Sequence, residues 1–321
     1  MPNAQTQAIE NASIRRLTPA DLDRVVEIDR EISGQSRRGF FVNRLAVSRN
    51  EAGAFISLAY IENGVMEGHA LAHMLDGEFG VRKRVAVLDA IGTSRSVRGH
   101  GGARMLVKEL QFAARASGAY ALRTQALWSN ESMMHFLAAA GFRLGTRIVL
   151  DRPCAKNPGE MPLGDNDSDV GQDLAPDRIL VRSLTLADLP SVIGLDRGIT
   201  GQDRSAYLKR IVSEALRENG VRLSMLAEID ETPAGFIMAR VDYGEFGETE
   251  AEAVLDTIGV DSEFQRQHVA TSLLSQMLNQ LSSLRVERVR TVVEWNNTTL
   301  MAFLDRSGFK PTQNLTFTMS L

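Results

Sequence analysis

The chain repeats itself. Laid over itself with an offset of 167 residues, it places Arg15 on Arg182, Leu17-Thr18 on Leu184-Thr185 and Ala20-Asp21-Leu22 on Ala187-Asp188-Leu189. In the same register Asp29-Arg30 meets Asp196-Arg197, Gly34-Gln35 meets Gly201-Gln202, and Arg37 meets Arg204. Residues 77–80 and 244–247 both read GEFG, and 86–89 and 253–256 both read AVLD. Ile91-Gly92 falls on Ile258-Gly259, Asn130 on Asn297, and Gly141-Phe142 on Gly308-Phe309. A single register held without a slip means that one folding unit has been duplicated. The length of 321 residues agrees, since a domain usually takes roughly 150. The units are expected at 14–152 and 178–321, after a disordered polar tail at 1–13. Between them, residues 153–177 are rich in Pro, Gly and Asp without apolar periodicity, which predicts a solvated linker.

Composition narrows the function classes. A net charge of −4 offers no global basic field for nucleic acid. No apolar run approaches the roughly 18 residues that a membrane span needs, and the polar N-terminus lacks the apolar stretch of a secretory signal. The single cysteine, Cys154, cannot form an internal disulfide and points to a reducing cytoplasm. Beside Pro153 in the expected linker, it reads as an inert thiol.

Each unit opens with a short strand and a helix start. Thr18-Pro19-Ala20-Asp21 supplies a capping hydroxyl, a proline at the first helical position and a first-turn carboxylate; Thr185 to Asp188 repeats it. Strands are predicted at 54–61 and 68–75, and at 223–229 and 235–241 with Thr232-Pro233 turning between them. The next strand, 85–92 or 252–260, runs into a glycine-rich turn. That turn reads Arg98-Gly99-His100-Gly101-Gly102-Ala103 and opens the apolar-periodic segment 104–116. Free amides at a helix N-terminus, with the helix dipole, favour a bound phosphate. Glycine lets the backbone approach it closely. The spacing fits neither the dinucleotide fingerprint nor a nucleotide triphosphate loop.

In its context the turn says more. R-x-x-G-x-A after a strand, preceded by Leu-Asp-x-Ile-Gly, resembles the first cofactor motif of the GNAT acetyltransferase superfamily. Asn130 followed by Ala140-Gly141-Phe142 resembles the family's second cofactor region; Asn297, Phe303 and Gly308-Phe309 do the same in the second unit. The whole chain thus resembles a tandem GNAT protein. The resemblance implies an α/β fold of two curved mixed sheets flanked by helices, with two central strands splayed to admit acetyl-CoA. It also implies direct acyl transfer to an amine.

The resemblance assigns the cofactor to Ile91, Gly92, Arg98, Gly99, His100, Gly101, Gly102, Ala103 and Asn130. In the second unit it assigns Ile258, Val260, Gln265, Arg266, Gln267, His268, Val269, Ala270, Thr271, Asn297 and Phe303. His268 stands where the first unit has Gly101. Its side chain either crowds the pyrophosphate, weakening this half, or donates to a phosphate when protonated. The strand before the motif carries Asp89 and Asp256, which are either proton acceptors or structural anchors. The family's usual tyrosine acid, four residues before Gly-Phe, is replaced by Leu137 and Leu304, leaving Tyr243 as a substitute. Asp29, Arg30, Asp196 and Arg197, with Glu78 and Glu245 of the GEFG loops, are candidates for the acceptor amine. An ion pair of Asp29 with Arg37, or Asp196 with Arg204, is the structural alternative. Trp128 and Trp295 read as core or cofactor-wall residues. No metal is expected. The function expected is acetyl transfer from acetyl-CoA, or from another acyl-CoA, to a small-molecule or peptide amine, by a monomer or weak dimer carrying an internal pseudo-dimer. The alternative is a catalytically silent acyl-CoA-binding protein.

Overall fold

The computed structural model describes residues 11–50, 54–75, 83–154, 178–215, 222–243 and 251–321. The expected tail lies outside them except for 11–13, and the expected linker except for Pro153 and Cys154. The N-terminal half runs β1 (Ala12–Arg16), α1 (Leu22–Ser33), α2 (Arg38–Asn50), β2 (Phe55–Glu62), β3 (Val65–Leu75), β4 (Val85–Thr93), α3 (Gly102–Ala116), β5 (Ala121–Leu127), α4 (Glu131–Ala139) and β6 (Arg143–Pro153). The C-terminal half repeats it as β7 (Ile179–Ser183), α5 (Leu189–Thr200), α6 (Ser205–Ala215), β8 (Arg222–Ile229), β9 (Thr232–Tyr243) and β10 (Ala251–Val260). It ends with α7 (Val269–Ser283), β11 (Arg288–Glu294), α8 (Thr298–Arg306) and β12 (Lys310–Ser320).

The first helix of each half starts as the capping signal requires. Asp21 accepts from the Thr18 amide and hydroxyl, both at 2.8 Å, and from both terminal nitrogens of Arg15 at 2.7 Å. The Arg15 guanidinium holds the Asp21 carboxyl down to about 2. Arg182, Thr185 and Asp188 repeat the arrangement. Thr232-Pro233 does not turn. It begins β9, and the turn falls on Asp230 and Glu231, both in the left-handed region at φ 48° and 63°. The helices 38–50 and 205–215 were not predicted.

Among the described residues the strands form one twelve-stranded sheet in the order β1-β2-β3-β4-β5-β12-β6-β11-β10-β9-β8-β7. The halves have therefore exchanged their last strands. β12 pairs antiparallel with β5, Asn314 facing Leu127 and Ser320 facing Ala121. One repeat away β6 pairs with β11, Arg147 facing Glu294 and Pro153 facing Arg288. The two registers are equivalent under the 167-residue offset. At the centre Leu315 faces Ile148, its own repeat equivalent, so the pseudo-two-fold axis passes through that pair. Side chains follow the strands: Phe317 and Met319 pack in the N-terminal core with Leu106, Leu122 and Phe142. Leu150 packs in the C-terminal core with Met225 and Leu273. Arg152 donates to the Ser307 carbonyl at 2.5 Å, and the Cys154 amide donates to the Glu287 carbonyl at 2.7 Å. The segment expected to begin the linker is thus anchored to the C-terminal half.

The cores have diverged by matched exchange. A Cβ on Gly102 would lie 2.6 Å from the Tyr60 ring. The offset positions are Val269 and Ala227, both buried in the C-terminal core. Bulk has moved from strand to helix at constant total demand, the kind of swap a packed core tolerates.

Two outcomes follow from this packing. Residues 1–154 alone lack β12 and leave the β5 edge unpaired, so they should sediment as a dimer that exchanges β6; a cooperative monomer would contradict the exchange. Gly102→Val should destabilise the chain by about 3 kcal/mol through overpacking, and Tyr60→Ala in the same chain should restore part of it, giving a favourable coupling in a double-mutant cycle of thermal melts.

Candidate active site

Each half holds two parallel strands together for only three residues. β4 pairs with β5 from Val85 to Val87, and β10 pairs with β11 from Glu252 to Val254. Beyond that the strands part. The cause lies one step on. Leu88 faces Ala72 and Ala90 faces Leu71, so Asp89 is the extra residue of a β-bulge. Asp256 is the bulged residue of β10. A bulge bends its strand and ends regular pairing. Thr124 donates to the Leu88 carbonyl at 2.9 Å, and Thr291 to the Leu255 carbonyl at 3.1 Å, at the mouth of each split. These threonines were missed, although the repeat register alone places one on the other.

The bulge carboxylates are buried and paired. Asp89 lies 2.7 Å from His73 Nδ1, with Arg44 at 3.7 Å; Asp256 is bound by Arg240. Thr257, the next residue, lines the cleft described below, and Asp256 does not. Of the two roles open to these aspartates, proton acceptor or structural anchor, their burial and pairing at the bulge match the second.

Past the split, each strand leads into the glycine-rich turn. In α3 helical bonding begins with Met105 N–H to the Gly101 carbonyl at 3.0 Å, so the amides of Gly102, Ala103 and Arg104 precede the first intrahelical bond. Gly99 and Gly101 are left-handed, at φ 84° and 90°. Their offset partners Arg266 and His268 are left-handed too, both at φ 62°. The second half keeps the turn's shape with side chains in a conformation that costs about 1–2 kcal/mol each. A Cβ on Gly99 or Gly101 meets nothing within 4 Å. Arg266 is exposed, and so is the His268 side chain. The Val269 and Gly102 side positions are buried in the cores, so only their amides face a ligand.

The remaining candidates separate. Ile258, Val260, Ala270, Asn297 and Phe303 meet at one cleft in the C-terminal half, of about 260 Å3. Thr257, Gly259, Thr299 and Leu300 complete that side, and Phe236 lies across from them. Asp196, Ile199 and Thr200 of the end of α5, with Arg204 from the turn that follows, line it as well. Asn130 and Asn297 cap their helices, accepting from the amides of Met133 at 3.1 Å and Leu300 at 3.2 Å. Gln267 donates to the Glu263 carbonyl, while Arg98 and Gln265 are exposed. Leu137 and Leu304 are buried in the cores, so that helix position has no access to the cleft. Arg30 and Arg197 point outward, Arg197 pairing with Asp203 at 3.1 Å. Trp128 and Trp295 are 60% and 62% exposed, which removes the core as one of the two places expected for them. Glu78, Glu245 and the side chain of Tyr243 lie outside the described residues.

The acceptor-side ion pairs exist, and they differ. Arg37 engages both oxygens of Asp29. Arg204 donates to Asp196 Oδ1 at 2.7 Å, and Asp196 Oδ2 has no partner among the described residues. The first half also buries His69, 1% exposed, where the second has Phe236. Neither ring nitrogen of His69 has a partner among the described residues. Burial pushes its pKa down to about 4; Asp29 opposes this shift and Arg37 adds to it, both to a smaller extent. Beneath the first turn, buried Glu62 accepts from the Tyr60 hydroxyl at 2.9 Å and lies 3.0 Å from His100 Nδ1.

With splayed parallel strands leading to a helix N-terminus in both halves, the chain has the architecture of an acyl-CoA-dependent acyltransferase. It belongs to the acetyltransferase (GNAT) family, whose model matches residues 22–142 and 194–309. Its fold is similar to that of a tandem GNAT protein from the clavulanic acid biosynthesis pathway, at 16% identity and a TM-score of 0.66, covering 96% of this chain and 98% of that one. A GCN5-related N-acetyltransferase from Sphaerobacter thermophilus aligns at 14% identity and a TM-score of 0.61, covering 97% and 96%. A putative acetyltransferase from Pyrococcus horikoshii aligns at 13% and 0.54, covering 97% and 90%. A comparison with curated proteins found no match.

His69 makes acid stability a measurable property. Its folded pKa is below the unfolded value of 6.5, so the unfolded chain binds a proton that the folded one refuses between pH 6.5 and 4. Stability is lost as pH falls through that window, by about 2 kcal/mol at pH 5. His69→Phe, the residue the second half uses, should flatten the fall in melting temperature between pH 6.5 and 4.5. An unchanged slope would contradict the burial argument.

Proposed function

We propose that the protein transfers an acetyl group from acetyl-CoA directly to the nitrogen of a primary amine, in the cleft of the C-terminal half. The observation that carries this reading is the composition of that cleft. One wall is β10 beyond its pairing with β11, where backbone groups on the open edge can pair with an extended chain bearing amides. The amides of Val269, Ala270 and Thr271, which precede the Ser272 N–H to His268 carbonyl bond, offer an anion site at one end. The same cleft is lined by Asp196, Ile199 and Thr200 of α5 and by Arg204, which we assign to the acceptor side. Acetyl-CoA fits these elements through Ile258, Val260, Ala270, Asn297 and Phe303, and supplies the activated acyl group when bound. Direct transfer agrees with Cys154, whose thiol is pushed up to about 11 by burial and carries little thiolate at neutral pH.

In this reading the N-terminal half acts first as a structural partner, because its β6 completes the C-terminal core. Its own turn lies above the buried Glu62 carboxylate, which opposes a phosphate, and this favours the C-terminal cleft as the working one. We place the protein in the cytoplasm, acting as a monomer that contains its own pair.

Release of free thiol from acetyl-CoA by the full chain, against a panel of small amines, tests the proposal. Ala270→Trp would fill the entrance beside the helix N-terminus. It should lower kcat/KM by at least about a hundredfold, equivalent to roughly 3 kcal/mol of transition-state binding. Unchanged turnover in this variant would place the reaction elsewhere.

A further inference from the structure

We infer that Ile199 sets the size of the acyl group in the C-terminal cleft, holding the donor to acetyl. The inference rests on the acyl-transfer reading above and names the residue that decides which acyl-CoA the cleft takes.

The repeat keeps this side chain twice. Ile199 falls on Ile32, and both are exposed, at 43% and 42%, in the last turns of α5 and α1. The flanking residues have changed, Glu31 to Gly198 and Ser33 to Thr200, and the isoleucine has not. The residue that it touches is also kept. A Cβ on Gly259 would lie 2.8 Å from Ile199 Cδ1, and a Cβ on Gly92 would collide with Ile32 Cδ1. Neither glycine is left-handed, so backbone conformation does not call for it. A glycine inside a strand marks a close approach, and here the approach is by the isoleucine. Core packing does not account for a side chain left 43% exposed.

Its position gives it a use. Gly259 lies on β10 beyond Val254, the last residue that pairs with β11, and both Gly259 and Ile199 line the cleft. Ile199 therefore reaches from α5 to the open strand. A group handed from a donor along β10 to an amine on the helix side must pass beside it. The other walls do not reject a longer acyl chain. Ile258, Val260, Leu300 and Phe303 are apolar, and each methylene buried against such a surface strengthens binding by about fourfold. An apolar pocket turns away an added methylene only by lack of room. Ile199 is the side chain that takes up that room where helix and strand meet.

Calorimetry on the full chain with acetyl-CoA and butyryl-CoA reads this filter without turnover. Isoleucine to alanine removes three carbons, and butyryl carries two more than acetyl. The wild-type protein should bind butyryl-CoA no more tightly than acetyl-CoA. Ile199→Ala should raise the butyryl-to-acetyl affinity ratio on the order of tenfold. Ile199→Val, which removes Cδ1 alone, should raise it less, and Ile32→Ala should leave it where it is. A wild-type preference for butyryl-CoA, or a ratio unchanged in Ile199→Ala, would overturn the inference. A shift produced by Ile32→Ala instead would overturn it as well and would put the donor in the N-terminal half. Turnover separates this from failure of the transfer reading. If Ile199→Ala shifts the ratio while no amine of the panel is acylated from either donor, the size filter stands and the transfer reading falls.

Discussion

Everything in this molecule follows from two parallel strands that stop pairing after three residues. A continuous sheet buries its backbone groups in a complete ladder, so an interruption must be held open. Here the device is an extra residue, Asp89 or Asp256, whose side chain is held by His73 or Arg240 of the neighbouring strand. The bulge bends the strand, and Thr124 or Thr291 binds the carbonyl that the bend exposes. The gap leaves an open strand edge beside a helix N-terminus, and both features favour an extended anionic ligand.

The interruption also explains the exchange of strands. β5 and β11 lose their neighbour on one side beyond the bulge and need a complete neighbour on the other. Each takes the last strand of the opposite half, in equivalent registers. Each core then contains side chains from the far half, Phe317 and Met319 in one and Leu150 in the other. Duplication here did not produce two independent domains. It produced one sheet with two splayed strand pairs, in which one half can drift while it continues to support the other.

Much of this was legible in the residues. The repeat, the capping signal from Thr18 to Asp21, and the strand–turn–helix passage through Arg98 to Ala103 are local patterns, and local patterns survive in sequence. The exchange is not local. β6 and β12 sit at equivalent repeat positions, so either could pair with β5 or with β11, and only the three-dimensional connection decides. The side-chain differences that matter were hidden for a related reason. Asp29 and Asp196 are the same residue in the same register, yet one has both oxygens bound and the other has one. Tyr60 against Gly102 is informative only beside Ala227 and Val269. Where Gly101 is replaced by His268, the backbone keeps the same left-handed turn and the side chain is exposed, which the residue types alone do not show.

The account claims that the C-terminal cleft is where the acyl donor and acceptor meet. A crystal structure of the full chain grown with acetyl-CoA tests that claim most directly. The expected result is ligand density along β10 beyond Val254, with phosphate at the amides of Val269 to Thr271 and the acyl end facing Ile199. Density confined to the N-terminal half, at Gly101 and Gly102, would contradict it.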